Sequence, residues 1–215
     1  MQDNVLSNIV LASPEGQNVI QSLKRNHTVI VPTLSLAWTI AGSATKDPVV
    51  TEADRLRYIP PEYVKQWRGQ TANLTAGSAV QSLDRQLGLV RKLHDERVVM
   101  MAGTDVIKPF FVTGFALHDE LRLLVQAGLT PLEAIQAASR EPARFMGQKD
   151  VGTIETGMLA DVVLLNADPL KDVANTRQIA AVVANGRLFD GAALKAMLAD
   201  IEENARTWKG TPTGR

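Results

Sequence analysis

The 215-residue sequence predicts an α/β fold with a small antiparallel β region behind it, and three observations carry that prediction. Residues 28–36 (TVIVPTLSL) and 97–102 (RVVMMA) are β-branched, nearly continuous apolar runs, the pattern of strands covered on both faces in a parallel sheet. Helical segments with recognisable caps flank them, giving the order α, β, α, β, α, α over residues 14–147, which joins parallel strands through crossover helices. From Val151 onward the character changes: Gly-bounded turns separate short apolar runs, and Asn185-Gly186 between two of them signals a hairpin.

Each element has a local reason. Ser13-Pro14-Glu15 reads as N-cap, N1 and N2 of a helix running to about Arg25, with His27 in the turn after it. Pro32 is tolerable in the first strand because it lies near an end. Residues 37–77 form a long polar and aromatic insertion carrying Trp38, Trp67 and Pro60-Pro61, with Thr51 as a cap inside it. Ser78 to Gln81 has capping-box spacing and opens a helix whose Val80, Leu83, Leu87, Val90 and Leu93 share one face. Gly103-Thr104-Asp105 ends the second strand. A helix from His118 to Ala127 stops at Gly128. Thr130-Pro131-Leu132-Glu133 then combines N-cap, N1 proline and N3 glutamate, starting a helix that runs to about Arg140. Pro142 permits a short further turn through Phe145, closed by Gly147. Strands follow at 161–166, 180–183 and 187–189. A last amphipathic helix with Leu194, Met197, Leu198 and Ile201 leads into a polar tail. The domain organisation is therefore 1–148, 149–191 and 192–215.

Composition bounds the function. Lys plus Arg number 23 and Asp plus Glu 23, so no net field favours nucleic acid or an anionic membrane. The chain has no cysteine, which excludes disulfides, thiolate metal sites and cysteine nucleophiles. No apolar run reaches the ~20 residues that span a bilayer. The opening MQDNVLSNIVLASPEG lacks a basic segment followed by an apolar one, so no leader is read and the default compartment is the cytoplasm, a secreted or periplasmic longer form being left open.

Two parallel strands leave an open edge on each side, and so small a sheet is marginal in water. The β region also has too few strands to close a sandwich or barrel. The chain is therefore expected to be the C-terminal part of a longer protein. The alternative is a chain that pairs its open edges with another, as a homo-oligomer or as a non-catalytic assembly protein.

Five motifs in order, "MMAGTD" (100–105), "GFALHDELRLLVQAGLTPLEAIQAASREPARFMG" (114–147), "GTIETGMLADVVLLNADPL" (152–170), "AVVANGRL" (181–188) and the first strand region, resemble the C-terminal part of the amidohydrolase superfamily, nearest its imidazolonepropionase-like and prolidase-like branch. The resemblance covers about 14–36 and 95–195. The 37–77 insertion matches none of these motifs. It implies the last two strands and helices of a metal-dependent (β/α)₈ TIM barrel, with 28–36 as the seventh strand and 97–105 as the eighth, and the C-terminal half of a small composite β-sandwich over 151–190. Sites in such barrels lie at the C-terminal ends of the strands.

By that resemblance Asp105 is a metal ligand and a catalytic proton acceptor for the hydrolytic water, since a carboxylate beside a cation stays ionised and within reach of the proton it takes. His118 and Lys108, in or just after the loop that follows, are the candidate substrate contacts. The implied cofactor is a divalent metal, one or two zinc ions, in the full-length family member, with none held tightly by this chain alone. The family's His-x-His and its further His ligands have no counterpart here: His27, His94 and His118 are the histidines, and none stands in that pattern. The implied reaction is hydrolysis of a C–N bond in a small amide, cyclic amide or dipeptide, the isolated chain being inactive. Asp161 is read as structural, bonding turn amides.

Overall fold

The computed structural model describes residues 13–106 and 108–210. The first twelve of the residues read for a leader, and the last five of the polar tail, lie outside that range. The first helix, α1 (Pro14–Arg25), opens as its sequence dictates: Ser13 accepts from the Gly16 amide and Pro14 sits in the first turn.

The run 28–36 is not a strand along its length. Ile30 makes one parallel bridge with Met100, and Val31 is followed by Pro32, which has no N–H to extend a ladder. Thr33 turns into the left-handed region at φ 49°, and α2 (Leu34–Thr45) begins. The cause lies far away in sequence. The Glu120 carboxylate accepts from the Leu34 amide at 3.0 Å and the Ser35 amide at 2.6 Å, capping a helix whose own N-cap residue offers no side-chain bond. An apolar run that reads as strand is thus cut short by a cap that local sequence does not contain.

The 37–77 segment is largely helical. Beyond α2 it forms α3 (Pro48–Thr51), capped by Asp47 rather than by Thr51, a 3₁₀ turn (Asp54–Tyr58) and α4 (Pro61–Thr71). The helix α5 (Ala76–Asp95) starts at Thr75, before the expected box, and the Ser78 hydroxyl donates to the Thr75 carbonyl instead. Of its predicted apolar face, Val90 and Leu93 are buried.

The run 97–102 contributes Met100 to the parallel bridge, and the Ala102 amide donates to the Ala137 carbonyl. It is covered on one face only. Val98 and Met100 lie in the core, whereas Val99 is 46% exposed. After the 103–114 loop come α6 (Phe115–Gln126), starting three residues before the expected His118, then α7 (Pro131–Ala138) and α8 (Arg140–Phe145). The Thr130–Glu133 capping box is present in both directions. The core gathers Ile20 of α1, Leu34 of α2, Val90 and Leu93 of α5, Val98, Met100, and Leu121, Leu123 and Leu124 of α6, closed by Ala134 and Ala137 of α7.

The β region is a three-stranded antiparallel sheet, β1 (Val162–Leu165), β2 (Ile179–Ala184) and β3 (Arg187–Asp190), in sequence order. Val163 faces Val182 across one ladder, and Val182 faces Phe189 across the next. Asn185 (φ 50°) and Gly186 (φ 71°) supply the two positive angles of the hairpin turn. The Asp161 carboxylate accepts from the Asn185 amide at 2.7 Å, the turn-amide role read for it. The last helix, α9 (Gly191–Thr207), is capped by Asp190 and leaves Met197, Leu198 and Ile201 exposed.

Candidate functional site

Asp105 ends the 97–102 segment, is exposed, and holds φ at 52°. A non-glycine residue in the left-handed region carries strain that its surroundings must impose, and such residues gather at working sites. Two packing features flank it. Before Asp105, Gly103 lies against Val31: a Cβ at Gly103 would stand 2.4 Å from the Val31 Cγ1. The glycine is therefore needed for close approach between the two bridged segments. After Asp105, the loop is plugged by Phe110, fully buried, with Phe111 and Val112 buried behind it. The Phe110 ring meets Trp67 of α4 edge-on at 5.8 Å between centroids. The 37–77 segment thus anchors the loop that carries Asp105. Lys108 is exposed on the same loop.

His118 is half-buried on α6, and its Nδ1 lies 2.9 Å from the Thr176 hydroxyl. That hydroxyl donates to the Val173 carbonyl at 2.7 Å, so its oxygen accepts and His118 Nδ1 carries the proton. In that arrangement the neutral ring keeps its lone pair on Nε2. Burial, with Arg177 close by, lowers the His118 pKa below its ordinary range, and Asp119 opposes that in part. The contact ties α6 to the 3₁₀ turn Val173–Arg177 beside the sheet.

Asp119 and Glu120 follow His118 on α6. Both are buried. Asp119 is ion-paired with Arg55, and Glu120 caps α2. Burial raises the Glu120 pKa, although the Leu34 and Ser35 amides favour its charged form. His94 lies at the end of α5, partly buried, its Nε2 3.3 Å from Glu133. Among the described residues no three His, Asp or Glu side chains gather closely enough to hold a metal ion. The described residues therefore do not by themselves compose a metal centre.

The amidohydrolase family model matches residues 39–189, about two thirds of the chain and through most of the 37–77 segment. The chain belongs to the amidohydrolase family. Among its relatives are an adenine deaminase of Ligilactobacillus salivarius, 33% identical over 107 residues, covering 50% of this chain and 18% of the relative. An imidazolonepropionase of Deinococcus radiodurans is 32% identical over 112 residues, covering 49% of this chain and 27% of the relative. Of solved structures, a bottromycin amidohydrolase superposes with TM-score 0.64 at 25% identity, over 82% of this chain and 40% of that one. A Xaa-Pro dipeptidase superposes with TM-score 0.59 at 24% identity, over 81% and 37%. These amidohydrolase likenesses imply a barrel-type fold. The chain spans less than a third of the length of these curated relatives.

Proposed function

We propose that these residues form the C-terminal portion of a metal-dependent amidohydrolase that hydrolyses a C–N bond in a small amide, cyclic amide or dipeptide. In that reading 28–31 and 97–102 are the last two staves of a (β/α)₈ barrel, and 162–190 is one part of a composite sandwich. The observation that carries it is Asp105, strained and exposed at the end of the second stave, within a matched family segment.

A divalent metal, zinc first among candidates, would supply Lewis acidity and a more acidic bound water; its other ligands must come from polypeptide beyond the described residues. Asp105 takes the proton of the attacking water and returns it to the departing nitrogen. Lys108, a mobile point charge, meets a substrate carboxylate. His118 contributes only through Nε2, because Nδ1 is committed to Thr176. Pairing of the open edges with a second copy of the chain is the alternative to that longer polypeptide.

The test uses the full polypeptide in which these residues occur, loaded with zinc and offered Xaa-Pro dipeptides, cyclic amides and adenine. Release of amine or ammonia should fall at least a hundredfold in Asp105→Asn, with metal content reduced. Residues 1–215 alone should show neither activity nor tightly held zinc. Full activity in Asp105→Asn overturns the assignment.

A further inference from the structure

Four elements converge on a cluster of arginines that the hydrolytic reading does not use. Arg55, from the 3₁₀ turn Asp54–Tyr58, is buried and paired with Asp119 of α6. Its guanidinium carbon lies 5.5 Å from the Trp38 ring centre, and that of Arg122, one turn beyond Asp119, lies 4.9 Å from the same ring. Arg177, at the end of the second 3₁₀ turn, follows Thr176, whose hydroxyl lies 2.9 Å from Nδ1 of His118, one turn before Arg122 on α6.

The charges do not balance. Three guanidinium groups face one carboxylate, Asp119. Neighbouring acids are engaged elsewhere: Glu120 by the Leu34 and Ser35 amides, Asp54 by Arg57, and Asp172 by the Ala174 amide. His118 adds no anion, and its Nδ1 is held by Thr176. Among the described residues, Arg122 and Arg177 have neither an ion pair nor a side-chain hydrogen bond, and the buried Arg55 Nε–H has no acceptor.

Like charges are held together at a cost, and a stacked planar guanidinium keeps its N–H edge free for a planar or tetrahedral oxyanion. Trp38 holds both guanidinium groups against its ring, so less freedom is lost on binding. Arg177 is exposed.

We infer that Arg122 and Arg177, backed by the Arg55–Asp119 pair on Trp38, form a binding site for a small oxyanion, a carboxylate or a phosphate, at the seam between the helical layer and the β-sheet. The site does not include Asp105, and its test does not depend on hydrolytic activity.

The full polypeptide is titrated with potassium phosphate and, separately, sodium acetate, each against sodium chloride at matched ionic strength, while its melting temperature and tryptophan fluorescence are followed. A saturable rise in melting temperature beyond the chloride control is expected, since a ligand that binds only the folded state stabilises by mass action. Arg177→Gln, at an exposed position, should weaken the response at least tenfold, and so should Arg122→Gln. Response to phosphate alone identifies a phosphate site, and response to acetate a carboxylate site. A response no larger than that to chloride, or one that survives Arg177→Gln unchanged, overturns the assignment.

Discussion

At the residue scale, single atoms decide where the two bridged segments sit. Gly103 abuts Val31 so closely that a methyl group there has no room. We expect Gly103→Ala to cost about 1–3 kcal/mol, the usual range for an overpacked contact. Urea denaturation measures it, and Val31→Ala in the same chain should recover part of the loss. Glu120 is the second such residue. Replacing it with Gln keeps the volume but leaves one of two buried amides without an acceptor, for an expected loss of about 1–3 kcal/mol. Its pH signature has a definite sign. Burial raises its pKa above the ordinary 4.5, so the folded chain binds more protons than the unfolded one over the window that starts there. Stability from this group therefore falls as pH rises through that window. The difference in unfolding free energy between the parent and Glu120→Gln should narrow from pH 4.5 upward. His118 has the opposite slope: its pKa is lowered from 6.5, so its share of stability is lost as pH falls through 6.5.

At the element scale, the parts readable in the sequence are those whose signals are local. Thr130 and Glu133 lie three apart and bond each other, and Asn185-Gly186 makes its turn with its own two residues. Both were legible. The α2 helix was not, because its cap, Glu120, is 86 and 85 residues away from the amides it serves, and the residues before it look like strand. The 103–114 loop shows the same division. Asp105 stands out as the end of an apolar run, yet nothing near it announces that Phe110 is gripped by Trp67 of a distant helix. Sequence could have flagged the Phe110-Phe111 pair as too apolar for a free loop. We expect Phe110→Ala to cost about 3–5 kcal/mol and to open the 103–114 loop to protease, read by limited proteolysis with mass mapping. Trp67→Phe should keep most of the stability.

At the scale of the whole molecule, the helices cover one side of the bridged segments and leave the other bare. Val31 and Val99 are exposed at their meeting point, and Ile154, Leu164 and Leu188 are exposed across the β region. Each 100 Å² of apolar surface left wet forfeits about 2.5 kcal/mol at about 25 cal/mol per Å², against a net stability of about 5–15 kcal/mol for a domain. We expect residues 1–215 alone to bind ANS and to associate. Gel filtration with light scattering checks this, and a sharp, monomeric melt without dye binding would count against a missing cover. No helix among the described residues is long and apolar enough to cross a membrane, so a bilayer-spanning helix does not account for this surface. The balanced formal charge supplies no long-range repulsion to keep copies apart.

The bridge between Ile30 and Met100 has a kinetic corollary. Nearly everything between its two ends is helix, whose backbone bonds are local, while the pairing itself must wait for a distant encounter. During synthesis, therefore, Ile30 leaves the ribosome long before its mate exists, and the nascent chain passes through an interval in which that edge is a target for chaperones.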